Sequence, residues 1–184
     1  DTEKFVQEKY VDSILYRTQQ DFREDAYRLF DQNLLYTPWN KLYLSSYILE
    51  NNLYFPHTFW DDFPFNLSVI RDIERVAVTN KCYYHFIRQR EESETARYRA
   101  DMYEKREEEH SWMIELYEHW NMSTPNIEEF LSRRYIERLI GCVENVTNDN
   151  CTLKNVEKIR EIKKMITSER AIKAVEIAKP NSMY

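Results

Sequence analysis

The scarcity of glycine constrains this chain more than any other feature of its sequence. Gly141 is the single glycine among 184 residues, and there are five prolines. Tight hairpins and left-handed turns rely on glycine, so such a chain has few ways to connect the strands of a sheet. Glu, Lys, Arg, Leu and Ile are abundant, as in helical proteins. The sequence therefore predicts an all-α fold.

Hydrophobic spacing indicates where the helices lie. Apolar residues recur every three or four positions, which is the repeat of an amphipathic helix. The fifth helix is expected to begin after Thr124 and to close at Gly141, and the sixth to have Thr152 as its cap. The predicted helices cover residues 3–31, 37–50, 65–90, 112–120, 125–141, 152–166 and 168–178. The apolar face of the sixth comprises Leu153, Val156, Ile159, Ile162 and Ile166.

One domain over residues 1–184, an antiparallel bundle of about five to seven helices, follows from this length and spacing. The charged segment 88–110 leaves two alternatives: one long projecting helix, or a break at Glu92-Ser93. Its acidic run, Glu107-Glu108-Glu109, has Lys105 and Arg106 beside it and is interpreted as a solvated helix face.

Net charge disfavours two classes of partner. Twenty-six basic and 32 acidic residues give a net charge of −6, which is the wrong sign for neutralising phosphates or anionic lipid. No apolar run is long enough to cross a bilayer. The first residues, 1–4, do not resemble a signal peptide, and the missing initiator Met is taken as support for a processed chain.

Residues 51–66 carry two prolines and many aromatic side chains without helical spacing. Irregular backbone that exposes aromatic residues commonly supplies binding surfaces, so this connector is the predicted protein-binding site. The alternative is a lid that seals the bundle core. The candidate contact residues are Tyr54, Phe55, Phe59, Trp60 and Phe65, with Leu53 beside them.

Four Asn-x-Ser/Thr sequons suggest glycosylation, where this composition predicts roughly 1.4 by chance. They begin at Asn66, Asn121, Asn145 and Asn150, all in predicted turns or helix starts. Asn, Ser and Thr also gather at turns and caps for local hydrogen bonding, which is the alternative. Cys142 and Cys151 flank a predicted loop and are a candidate disulfide; the alternative is two buried thiols.

Side chains with catalytic or ligand chemistry do not converge on a site. Cys82 and His85 lie three positions apart among apolar neighbours. Glu107 and His110 match half of a di-iron motif, but the second half is absent. Glu115 and His119 make one further helical pair. No catalytic residue, metal or cofactor is therefore predicted.

Cys82-Tyr83-Tyr84, together with the later pair Cys142 and Cys151, resembles the bicycle family, secreted effectors of gall-forming aphids named for paired cysteine-tyrosine-cysteine motifs. Cys82 has no second cysteine nearby, and no tyrosine lies between Cys142 and Cys151, so neither motif is complete. The resemblance implies a helical insect salivary protein delivered into plant tissue. It implies no catalytic residues and no particular target.

Three functional hypotheses follow. The first is a secreted, non-enzymatic helical binding protein with a protein partner, suggested by the sequons, the cysteine pair and the missing Met. The second is an intracellular structural or scaffold subunit, suggested by the charged segment 88–110. The third is a helical metal or thiol enzyme, whose signature would be a bound metal or a reactive Cys82.

Overall fold

The computed structural model describes residues 11–84 and 98–178, and the chain divides into two compact units, Asp1–Ile87 and Arg88–Tyr184. The predicted helical fold is confirmed, with a small two-stranded sheet added. The expectation of one domain over residues 1–184 stays a prediction. The described elements are β1, Ile14–Tyr16; α1, Gln19–Asp31; α2, Ser45–Glu50; α3, Asp62–Arg71; β2, Val76–Val78; α4, Met102–His119; α5, Pro125–Thr147; α6, Asn155–Ile166; and α7, Glu169–Ile177.

The first unit departs from the predicted helices at two places. Strand β1 occupies part of the predicted helix 3–31, because Thr18 caps α1: its hydroxyl accepts a hydrogen bond from Asp21 N at 3.1 Å. Strand β2 replaces part of the predicted helix 65–90 and pairs antiparallel with β1, Ile14 opposite Val78. Valine-rich segments favour strands, and their spacing here imitated a helix. Helix α1 buries Phe22, Ala26, Leu29 and Phe30.

Three helices end in the same way, with asparagine where glycine is usual. Asn33, Asn52 and Asn121 have φ values of 57°, 51° and 52°. After each asparagine, the next amide bonds back to a carbonyl five residues earlier, as in Leu34 N to Leu29 O at 2.9 Å. The matching bonds join Leu53 N to Ile48 O and Met122 N to Tyr117 O, both at 3.0 Å. These are Schellman motifs, and asparagine tolerates the left-handed conformation that they need.

The second unit is organised around α5, which contacts α4, α6 and α7. Its start is as predicted: Thr124 Oγ1 accepts from Ile127 N at 3.3 Å, and Pro125 occupies the first turn. Its predicted end at Gly141 is wrong, since the helix continues to Thr147. The buried side chains Cys142 and Val146 extend the apolar face past the glycine. The predicted cap Thr152 is also wrong, because Lys154 precedes α6.

Gly141→Ala is expected to stabilise the second unit. A Cβ at this position meets nothing within 4 Å, and the glycine does not have a positive φ. Alanine in a helix interior is favoured over glycine by about 0.5–1 kcal/mol. Urea denaturation followed by circular dichroism measures the gain. Glu144→Ala, exposed on the same helix, is the control and should change stability by only about 0.5 kcal/mol or less. A loss of stability in Gly141→Ala would contradict the helical role assigned to Gly141.

Candidate functional site

The first unit exposes a run of large apolar side chains between residues 42 and 55. Leu42 is fully exposed, Leu44 is 71% exposed and Leu49 is 72% exposed. Tyr54 is 72% and Phe55 46% exposed. We call residues 42–55 the exposed apolar segment. Tyr54 and Phe55 belong to the predicted contact set, whereas the three leucines do not. All three lie in the predicted helix 37–50, whose expected apolar residues include Leu42 and Leu44.

The other predicted contact residues lie deeper. Phe65 is buried in α3, and the ring of Phe55 stacks on it with centroids 4.0 Å apart. Phe59 and Trp60 are half-buried, and their rings are 4.7 Å apart. The connector therefore divides: Phe65 joins the core, Phe59 and Trp60 are partly covered, and Tyr54 and Phe55 present surface.

The four sequons have different environments. Asn66 lies inside α3 and is fully buried. Its Oδ1 accepts from Tyr43 Oη at 2.6 Å, and its Nδ2 donates to Tyr36 O at 3.1 Å and to Asp62 O at 2.8 Å. The amide nitrogen that would carry a glycan is thus enclosed and bonded. Asn66 was expected to be exposed at a turn or helix start, whereas it lies inside α3 and bridges groups in the core of the first unit.

Asn145 also has a structural role. It lies in the last turn of α5, and its side chain accepts from Arg99 N at 2.9 Å and donates to Arg99 O at 2.8 Å. Asn121, in the turn after α4, and Asn150, in the loop before α6, are exposed. These two are the sequons of the folded chain whose side chains are accessible to a glycan.

The candidate disulfide is not formed: Cys142 and Cys151 are free, buried thiols. Burial raises the pKa of Cys142 to about 11, so its thiol stays protonated at neutral pH. Cys82 is exposed, and His85, its proposed partner, lies outside the described residues. The alternative of two buried thiols describes Cys142 and Cys151 in this structure.

The acidic run of α4 forms an ion network instead of the expected solvated face. Glu109 is buried and accepts hydrogen bonds from Arg106 and from Arg138 Nε, the latter at 3.0 Å. Glu107 accepts from Tyr135 Oη and from Arg170 Nη1, each at 2.6 Å. The network links α4, α5 and α7.

His110 lies beside this network and is buried, with its ring 4.8 Å from that of Tyr135. Burial lowers the pKa of His110 to about 4, and the positive charge of Arg170 acts in the same direction. The imidazole is therefore neutral at pH 7. Glu107 and His110, which match half of a di-iron motif, therefore contribute to hydrogen bonding and packing in the second unit. No group of three or more possible metal ligands occurs in the described ranges.

Lys41 is a hydrogen-bonded side chain of the first unit that the sequence analysis did not single out. Burial lowers its pKa to about 7, and nearby Asp62 opposes that shift. Its Nζ donates to Leu34 O at 2.6 Å, to Asn40 Oδ1 at 2.8 Å and to Thr37 O. Three acceptors use all three protons of an ammonium group. In its ammonium form Lys41 therefore clamps the loop between α1 and α2.

Comparison with known proteins gives no relative: no protein-family model, curated protein or solved structure matches this chain. Among the described helices, none combines the length and the apolar character needed to cross a bilayer.

Asn66→Ala is expected to destabilise the first unit by about 2–4 kcal/mol, because it leaves the partly buried Tyr43 hydroxyl and the Tyr36 carbonyl without their partner. Chemical denaturation measures the loss. Asn150→Ala is the control and should stay within about 0.5 kcal/mol of the wild type, since Asn150 is exposed. Equal stability of the two variants would show that Asn66 does not bridge the core.

His110 is expected to make stability fall as the solution becomes acidic. Its folded pKa lies below the unfolded value of 6.5, so the unfolded chain takes up a proton first. The contribution of neutral His110 to the free energy of unfolding is fully present above pH 6.5. About 3 kcal/mol of it is lost as the pH falls through 6.5 towards 4. Denaturation at several pH values should show a smaller slope in this window for His110→Gln. The exposed His57, changed to Gln, should leave the slope unchanged. Identical slopes in all three proteins would exclude this role.

Proposed function

We propose that this chain is a non-enzymatic helical protein that binds a protein partner through the exposed apolar segment, residues 42–55. The observation that carries the proposal is the exposure of five large apolar side chains within fourteen residues: Leu42, Leu44, Leu49, Tyr54 and Phe55. Scattered surface leucines are ordinary, whereas clustered apolar exposure is typical of interaction sites.

The backbone of the segment is held in place, which favours binding. Tyr47 Oη, on the inner side of α2, donates to Val69 O at 3.1 Å. Asn51 Nδ2 donates to Tyr47 O at 2.9 Å, and Asn52 ends the helix in a Schellman motif. A surface that is ordered before binding loses less entropy on association. Ser45, Ser46 and Glu50 are exposed beside the leucines and supply a polar rim.

Secretion is part of the proposal. It is supported by the two exposed sequons, Asn121 and Asn150, and by the resemblance to secreted effectors; a role on host targets follows from that resemblance. The mass of the protein from its native source, with and without enzymatic deglycosylation, tests it. Sugar mass supports a secreted protein, and an unmodified chain argues against it.

The alternative function, an intracellular subunit of a larger assembly, would use the same exposed apolar segment permanently. Part of the charged segment 88–110 that suggested it does not project, since Glu107 and Glu109 pack within the second unit. Residues 88–97 of that segment lie outside the described ranges. Sedimentation of the native protein separates the two functions: a permanent assembly persists on dilution, whereas a recruited partner dissociates.

Leu44→Ser combined with Leu49→Ser is expected to weaken partner binding at least tenfold. Burying a leucine contributes about 1.5–3 kcal/mol, so losing two contacts reduces affinity substantially. The partner is first isolated by cross-linking to the wild-type protein, and its affinity for each purified variant is then measured by calorimetry. Leu15→Ser, also exposed but in β1, is the control and should bind as the wild type does. Unchanged affinity in the double variant would refute the proposed surface.

A further inference from the structure

The second unit carries an apolar stripe on α6 that its own described residues do not cover. Val156 is 70% and Ile159 66% exposed, and Ile166 is exposed as well. The inner side of the helix is a different set: Met165 is buried, Ile162 is half-buried, and Lys158 Nζ donates to Asn148 O at 3.4 Å. The sequence had predicted Val156, Ile159 and Ile166 as part of one face with Ile162. The structure separates them, since the unit's core takes only the other side.

The spacing of the stripe identifies the kind of element that fits it. Residues 156, 159, 163 and 166 follow one another by three, four and three, which is the a-d-a-d spacing of a coiled-coil seam. Such a seam packs side chains into the holes of a facing helix. The stripe is therefore shaped for a helix that lies along α6.

The positive charges on and beside the stripe indicate which kind of helix can dock there. Lys163 occupies an a position between the aliphatic residues, and Arg160 borders the stripe. Both are exposed, and neither has an ion-pair partner in the described parts of the chain. Lys164, on the far side, already contacts Glu161 at 4.0 Å and the ring of Tyr103. Docking a helix over Lys163 removes its ammonium group from water, so the partner must supply a carboxylate.

A second copy of this chain does not meet that requirement. A parallel pair would place Lys163 against Lys163, and an antiparallel pair would place it against Ile159, in each case without a counter-charge. Of the carboxylates of α6, Glu157 is engaged by the backbone amide of Lys154 at 2.8 Å, and Glu161 lies beside Lys164.

We propose that the outer face of α6 docks an amphipathic helix of another protein that carries a carboxylate opposite Lys163. This surface lies in the second unit and is separate from the exposed apolar segment of the first. The lysine selects the partner by excluding apolar helices that lack the acidic residue.

A pair of synthetic helices tests the proposal. The first is a 21-residue peptide with Leu and Ile at its a and d positions and Glu at the position facing Lys163; the second has Lys in place of that Glu. Fluorescence anisotropy with the full chain is expected to show at least tenfold tighter binding of the Glu peptide. Lys163→Glu should reverse the preference, and Ile159→Ser should abolish binding. Lys173→Glu, an equal charge change on α7, should alter neither.

Four outcomes would overturn the proposal: no binding of either peptide at millimolar concentration, equal binding of both, a dimer of the chain that Ile159→Ser dissolves, or equally tight binding to phosphatidylserine vesicles. Because Lys163 is exposed, its substitution leaves the fold intact. The Leu44→Ser/Leu49→Ser variant should bind the Glu peptide normally, so a failure of this proposal is distinguishable from a failure of the proposed function.

Discussion

The turns that end the helices of this chain have to be made without glycine, and asparagine supplies the left-handed residue in their place. Asn33, Asn52 and Asn121 each close a Schellman motif in which the following apolar residue, Leu or Met, returns its amide to the helix. A left-handed conformation costs asparagine less than other residues with a side chain, because its short amide bonds locally. This requirement also gives a structural reason for part of the asparagine content. Asn121 is both a sequon and a helix terminator, so a sequon here does not by itself imply a glycan.

Hydrogen-bonded ion pairs determine how the helices of the second unit pack. Glu109 is buried with Arg106 and Arg138 as its partners, and the half-buried Glu107 accepts from Arg170 and the Tyr135 hydroxyl. Separating a buried carboxylate from its partner is costly, so these contacts fix the way α4 and α7 lie against α5. The cysteine and histidine nearby are protonated thiol and neutral imidazole for the same reason, since burial disfavours their charged forms. Residues that suggested chemistry in the sequence therefore act in packing.

Local signals predicted structure well wherever a single helix determined them. Thr124-Pro125 marked the start of α5, and Ser168 caps α7. Of the apolar face expected for α5, four residues are buried and two half-buried: Ile127, Phe130, Tyr135 and Leu139, and Leu131 and Ile140. The prediction failed where a distant partner decides. Val76–Val78 becomes a strand because Ile14–Tyr16 pairs with it, and no local spacing encodes that pairing. In the sequence, the acidic run of α4 cannot be distinguished from a solvated face, because its partners Arg138 and Arg170 lie on other helices. The exposure of Leu42, Leu44 and Leu49 was not predicted, because their segment was expected to be a helix over 37–50 with Leu42 and Leu44 among its apolar residues.

Two exposed apolar surfaces of different chemistry follow from these packing solutions. The segment 42–55 presents leucine and aromatic side chains with a neutral to acidic rim, which favours a partner selected by shape. The α6 stripe contains Lys163 in its centre, so the charge of this lysine selects the partner of that surface. A lysine in the middle of an apolar seam weakens association with every helix that lacks a carboxylate, so it has value only when discrimination matters more than affinity. Helix stability does not require Lys163, since α6 is anchored by the buried Met165 and by the hydrogen bond from Lys154 N to Glu157 Oε2 at its start. Its position on the outer face is therefore best explained by a partner that approaches from outside.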